Sequence, residues 1–446
     1  MALSRAAGLG SLALLARRAA TRLLSSAAST ALPAGDSAAR TQPRADPPPR
    51  HDRSLRPPAA PPAASPPQAQ PAASPKAAAK TKYAERQRLR NVALTECDSA
   101  DAVLRLAGRR AALSGVNAST AMMMLLKRSA PGEAASWAKD KRFQRVLRAA
   151  GTAMRLREMD ARGMTHALWV CAEMRVQPPW LEQYWRASQV RLSQHNPLDL
   201  SLSLYALAQL QAVPPEPWLA RFWALSGAKL HGFAWQGHSN VLHALASLQV
   251  VPPAAWLAAF WRASAPKLPR FAASRLADAA AALAALKLAP PEAWKSAFWD
   301  AAAPKLQDAQ LPDLLLPCAQ AGIRPPDALH DALSRRLEAA LPSLTLRQAA
   351  DVADALAALR LWGLAAWAPL WERLCGALAQ NVGAWGEEDV RDAGVVLQVL
   401  AAAEAERPGM LMQPPAELLD AARRAGQSDT ALTREADTLR GREVKK

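Results

Sequence analysis

Apolar residues along the middle of the chain recur at the spacing of helices rather than strands. Leu207 and Leu210, Leu245 and Leu248, and Leu283 and Leu286 are each three residues apart, in the segments YALAQLQAVPP, HALASLQVVPP and AALAALKLAPP. Three- and four-residue spacings place side chains on one helix face. A proline pair closes each such segment: Pro178-Pro179, Pro214-Pro215, Pro252-Pro253 and Pro290-Pro291. A second helical stretch follows, in which tryptophan and phenylalanine share a face at i, i+4, as in Trp218 with Phe222 and Trp256 with Phe260. Proline is excluded from a helix interior but suits a first turn, so each pair is expected to stop one helix and start the next.

These helix pairs repeat. WLEQYW begins at Trp180, WLARFW at Trp218, WLAAFW at Trp256 and WKSAFW at Trp294, each step being 38 residues. The second tryptophan recurs at Trp185, Trp223, Trp261 and Trp299. Eleven residues after the first tryptophan stands a base, Arg191, Lys229, Lys267 or Lys305, followed by Leu192, Leu230, Leu268 or Leu306. A weaker fifth copy has Pro325-Pro326 with Leu329 in the tryptophan column, and a sixth, without prolines, has Trp371 in the second-tryptophan column. Fixed-period self-similarity is the mark of a repeat architecture. Neither helix can bury its apolar face alone, whereas stacked neighbours can. The pattern therefore predicts an all-α solenoid of two-helix repeats of about 38 residues, right- or left-handed, with a concave surface. The periodic tryptophans read as core spacers between repeats rather than as platforms for stacking bases.

Composition places this array in a setting. The 446 residues are half hydrophobic, too many for one compact core, which stops growing near roughly 250–300 residues. The net charge of +17 favours a polyanionic partner, nucleic acid or an anionic membrane surface. Residues 1–82 hold 12 Lys/Arg against 3 Asp/Glu, so +8 remains for residues 83–446. The opening MALSRAAGLGSLALLARRAATRLLSSAAST carries Arg5, Arg17, Arg18 and Arg22 and no acid before Asp36, the composition of a transit peptide. Arg17 and Arg18 interrupt its apolar run short of the roughly 20 residues a membrane span needs, so no membrane insertion is expected. The mitochondrial matrix is the expected location, with the chloroplast stroma as the alternative. Residues 43–75 are Pro/Ala/Ser-rich and read as an extended linker.

The resulting division is 1–40 transit peptide, 41–82 linker, 83–159 degenerate helical repeats, 160–383 six repeats, 384–425 capping helices and 426–446 charged tail. Cys97, Cys171, Cys318 and Cys375 are far apart, which suits a reducing compartment rather than a disulfide framework. No HExxH occurs, and His238 and His243 are five apart rather than four, so neither a metal site nor a cofactor is expected. GxxxxGK[ST], GxGxxG and GxSxG are also missing. Glu387 and Glu388 read as a helix start rather than an acid–base pair. The expectation is a protein without catalytic residues or a small-molecule substrate.

The LALAxL-x3-PP-x2-W-x4-W pattern resembles the octotricopeptide repeat family of organellar proteins over about residues 160–380. The preceding segment, ALTECDSADAVLRLAGRRAALSGVNASTAMMMLLKRSA, resembles the degenerate opening repeat of that family and of FAST-kinase-like proteins. The resemblance implies a sequence-selective RNA-binding solenoid acting in organellar RNA processing, stability or translation. Some members are structural components of mitochondrial ribosomes. Many relatives end in a RAP module, a small nuclease-like domain. The tail ARRAGQSDTALTREADTLRGREVKK has no strand-rich segment to form one, so cleavage is not implied.

Alignment of the first helices yields a column that varies in polarity: His166, Leu202, Asn240, Asp278, Asp313 and Asp351. Neighbouring columns hold Thr165, Ser201, Ser239 and Ala277, and Trp169, Tyr205, His243 and Ala281. A modular reader needs varied side chains on a fixed scaffold, two or three per base. Asn offers a base edge a donor and an acceptor, and Asp accepts from exocyclic amines. The same residue types also suit helix caps. The basic column of Arg191, Lys229, Lys267 and Lys305 would form a stripe along a phosphate backbone, although cations at helix C-termini also complement the helix dipole. The expected partner is RNA, single-stranded or ribosomal, with ribosomal proteins as further partners of a ribosome component. A protein-scaffolding solenoid without RNA contact is the reading from another class. It supplies no reason for a base at four successive steps.

Overall fold

The computed structural model describes residues 75–411, apart from 110–112, 131–132 and 381–386, and adds 414, 416 and 419. The transit peptide, most of the linker, the charged tail and most of 412–425 lie outside the described residues, as do the side chains of Glu387 and Glu388.

The described residues are helical throughout, with no strand among them. The α-helices are α1 (Pro75–Glu96), α2 (Ala100–Ala107), α3 (Gly115–Arg128), α4 (Lys141–Arg155), α5 (Ala161–Glu173), α6 (Leu181–Arg191), α7 (Pro197–Gln209), α8 (Glu216–Lys229) and α9 (Trp235–Leu248). They continue as α10 (Ala254–Ser264), α11 (Ala273–Ala285), α12 (Glu292–Ala302), α13 (Leu311–Gln320), α14 (His330–Ala340), α15 (Leu346–Ala358), α16 (Trp367–Gln380) and α17 (Glu387–Glu406). Helix α1 starts at Pro75, inside the segment read as linker.

Odd-numbered helices pack each on the next, from α1 to α17. Even-numbered helices form a second layer, α2 on α4, α4 on α6, α6 on α8 and α8 on α10, with the short 3-10 turn after α10 meeting α12. Neighbours in space are thus neighbours in sequence, an arrangement consistent with an α-solenoid.

Local chemistry explains the helix ends. Asp160 caps α5 by accepting from the Gly163 amide, and Asn196 with Asp199, like Thr345 with Gln348, makes a reciprocal capping box. The prolines do not stop the first helices. That is done earlier by one residue in the left-handed region: Arg175, Gln211, Gln249, Lys287, Gly322 and Arg360, at φ between 53 and 65°. In α9 the Gln249 amide then reaches the Ala246 carbonyl and the Val250 amide the Leu245 carbonyl, and the same pair of bonds closes α5, α7, α11, α13 and α15. The prolines follow. The first of each pair is buried, while the second (Pro215, Pro253, Pro291) is the N-cap of the next helix.

The tryptophans fill the even layer. Trp180, Trp218, Trp256 and Trp294 are buried, and Trp185, Trp223 and Trp261 are half-buried. Trp256 stacks on Phe260 at 5.3 Å and meets the edge of Trp223, from the preceding helix of its layer, at 5.2 Å. Three of these buried indoles also find a hydroxyl one helix back: Trp218 Nε1 donates to Ser188 Oγ at 2.9 Å, Trp256 to Ser226 at 2.8 Å and Trp294 to Ser264 at 3.0 Å, whereas Trp180 Nε1 is buried without a partner. In the following copy Leu329 replaces the tryptophan and Ala302 the serine, so donor and acceptor vanish together.

Candidate nucleic-acid interface

The varied column lies on the odd layer, one residue per helix from α5 to α15. His166, Asn240, Asp278 and Asp351 are half-buried, Asp313 is exposed and Leu202 is buried. Because these helices pack in order, the residues form one row. Beside it, Tyr205 and His243 touch across α7 and α9 with ring centroids 5.7 Å apart, and both are mostly covered. The adjacent Thr165, Ser201 and Ser239 column faces inward instead. The Thr165 hydroxyl bonds the Ala161 carbonyl and the Ser203 hydroxyl, and Ser201 donates to the Leu198 carbonyl. A Cβ on Gly237 would come within 3.2 Å of Ser201 Oγ. Small side chains here let α7 and α9 approach closely, which is a packing role rather than presentation to a ligand.

The row changes character along its length. Arg162 stands one turn before His166, and burial, then that charge, lowers the imidazole below its usual pKa. Toward the other end the side chains are acids. Asp278 pairs with Arg275 at 3.3 Å and Asp351 with Arg347 at 3.5 Å. Burial raises the Asp278 carboxyl above the ordinary range, Arg275 opposes this, and Asp313 adds to the rise. Asp354 is raised by burial and then by Asp351. Asp354 was missed in the sequence, although extending the Trp169, Tyr205, His243 and Ala281 column by two copies leads to it. Chemically, the row offers an amide, an imidazole and several carboxylates. It suits hydrogen bonding to base edges and repels phosphate at its acidic end.

The basic column is engaged inside the fold. Arg191 donates to the carbonyls of Met159 (3.0 Å) and Arg157, Lys229 to Ser193 (2.8 Å) and His195 (2.6 Å), Lys267 to His231 (2.7 Å) and Phe233, and Lys305 to Pro269 (2.8 Å). These carbonyls lie in the turn entering the previous odd helix. In later copies the same task passes to Arg336, which holds the Leu306 and Ala309 carbonyls, and Arg373, which holds that of Leu344. Each base thus pins one helix pair to the pair before it. Lys267→Met is expected to cost about 2 kcal/mol of stability in urea titration, since two charge-assisted hydrogen bonds disappear from a half-buried site. Lys267→Arg should stay within about 1 kcal/mol of the parent, because Arg191 makes the equivalent bonds. Equal loss in both variants would mean that the carbonyl bonds are not the source.

Among the described residues no group of three or more His, Cys, Asp or Glu is placed to hold a metal, and no helix is long and apolar enough to cross a membrane. The four cysteines are free. Compared with protein-family models and with curated proteins, the chain matches none.

Proposed function

We propose that this protein is an RNA-binding solenoid of two-helix repeats of about 38 residues. The reading places it in the mitochondrial matrix, acting in the processing, stability or translation of a transcript or on ribosomal RNA. The octotricopeptide resemblance and the arginine-rich leader support it. The observation that carries it is the row from His166 to Asp351. Side chains of differing polarity recur at one position of successive packed helices, while the scaffold around them stays the same. That combination is what base-by-base reading requires.

The test is crosslinking and sequencing of RNA recovered with the tagged protein from its organelle, with Asn240→Ala, Asp278→Ala and Asp351→Ala variants alongside. A defined footprint is expected, with base preference relaxed at a single, different position in each variant. A footprint in ribosomal RNA with cosedimentation on ribosomal particles would select a ribosome component over a free factor. Recovery no greater than from an untagged control would end the RNA reading. The second reading, a protein-binding scaffold, is favoured by one observation. Hydrogen bonds to turn carbonyls already account for the basic column, so it no longer distinguishes RNA from protein ligands.

A further inference from the structure

With the basic column pinned to carbonyls and the reading row turning acidic, a second source of attraction for phosphates is called for. Charge along the chain shows where. Residues 100–162 hold 13 Lys/Arg against 5 Asp/Glu, a net of +8, whereas 163–380 hold 18 against 15. Much of that excess has a shape. Helix α4 buries Phe143, Val146, Leu147, Ala150 and Met154, and turns Lys141, Arg145, Arg148 and Arg155 outward. Their spacing sets them on one face, in a stripe about 21 Å long at 1.5 Å per residue.

Arg142, on the same helix, takes Asp140 at 2.7 Å and Asp101 at 2.8 Å. The four outward bases take no acid among the described residues. Arg145 donates to the Gly108 carbonyl and Arg148 to that of Gln144. Like charges at i, i+3 and i, i+4 cost a helix a few tenths of a kcal/mol per pair, so the four bases repel one another along the stripe. Along the sequence it leads to the reading row. Arg155 ends α4, exposed Arg157 occupies the turn, and Arg162 in the first turn of α5 precedes His166 by one turn.

A membrane-surface helix would need large apolar side chains free to enter the lipid. Those of α4 are spent in the core, with exposed Leu156 lying just past its end. We propose that the outward face of α4 anchors the phosphate backbone of a single-stranded RNA that enters the reading row at His166. This rests on the RNA reading above.

The experiment titrates the full-length protein with a fluorescein-labelled random-sequence single-stranded RNA pool over a series of salt concentrations. It compares the parent with a Lys141→Gln, Arg148→Gln, Arg155→Gln variant. Arg145 is left in place because of its bond to Gly108. A second variant, Arg221→Gln, Arg262→Gln, Arg335→Gln, removes as much exposed charge from the even layer elsewhere. Thermal melting by circular dichroism should match the parent for both. The α4 variant should bind at least about tenfold more weakly at low salt, and its slope of log affinity against log salt should fall by about 2, as for three lost phosphate contacts. The second variant should keep the parent slope. An unchanged slope in the α4 variant, or an equal fall in both, overturns the anchor while leaving RNA binding standing. A parent that binds no RNA overturns the wider reading and the anchor with it. Binding to phosphatidylserine-containing vesicles that is lost in the α4 variant, with RNA binding retained, overturns the anchor in favour of a membrane contact.

Discussion

Acidification from neutral pH to about 4 is expected to cost this fold up to about 6 kcal/mol through two imidazoles alone. His238 is fully buried in α9, between the rings of Phe233 and Phe260 at 5.6 and 5.4 Å. Its Nδ1 lies 3.1 Å from the Ala234 carbonyl and must donate to it, which leaves the buried Nε2 unprotonated and without a partner. Burial pushes its pKa down to about 4, and Lys267 pushes the same way against the Ala234 bond. His243 is also brought to about 4, by burial and then by Arg275. In the unfolded chain both take up protons near pH 6.5. The unfolded state therefore binds more protons between about 6.5 and 4, and stability falls as the pH drops through that window. Each gap is worth about 3 kcal/mol. His195, lowered in the same direction by burial, adds to the trend. Urea titrations at stepped pH would show it. Leucine occupies the position of His238 in both flanking copies, as Leu200 and Leu276, so His238→Leu should remove about half of the acid sensitivity. A flat stability profile from pH 7 to about 4 would show that these imidazoles titrate as they do in water.

The second large effect concerns the indole–hydroxyl bonds. Trp256→Ala should cost about 4 kcal/mol, in the range for an emptied aromatic site. The finer test is a cycle. Trp256→Phe keeps much of the ring packing but leaves Ser226 Oγ, in a fully buried residue, without its donor. An unsatisfied buried hydroxyl costs about 1–3 kcal/mol. Ser226→Ala should therefore destabilise the parent by about 1 kcal/mol, yet stabilise the Trp256→Phe protein. The pairing of Leu329 with Ala302 is the chain's own version of the double substitution. Additive effects, with an interaction energy under about 0.5 kcal/mol, would mean that the serines are only small spacers.

Much of the scaffold was visible in the sequence, because tryptophan and leucine spacing reports directly on which face is buried. The helix ends were read less well. The proline pairs stand out, but the reversal is made by Gln211, Gln249 and Lys287. These residue types give no hint of a left-handed backbone, for which glycine is the usual sign. Among the six reversals Gly322 alone has that sign. The basic column shows how a periodic charge can have partners that the sequence does not display. Its partners are backbone carbonyls 34 to 36 residues earlier for Lys229 and Lys267, and carbonyls have no letter in a sequence. The serine column was open to view, since Ser188, Ser226 and Ser264 each follow a first tryptophan by eight residues. Without the indole geometry those serines look like ordinary helix-surface residues. Of the candidate row, His166, Asn240, Asp278 and Asp351 are half-buried and Asp313 is exposed, one on each of five odd-layer helices. Ser201 and Ser239, one position earlier, point to the neighbouring helix, because a single residue turns a side chain by about 100° around the helix axis.

The bonds that tie successive helix pairs reach back one pair and no further, so a tensile load on the two ends would pass through each joint in series. The joints are unequal. Between α12 and α14 the indole–hydroxyl tie is gone, with Ala302 and Leu329 in its place, and α13 carries Pro317 within its length. A chain of links parts at its weakest one. Stretched end to end, this molecule is expected to yield first at a joint of this kind, which lacks the indole–hydroxyl tie, before the joints that keep it.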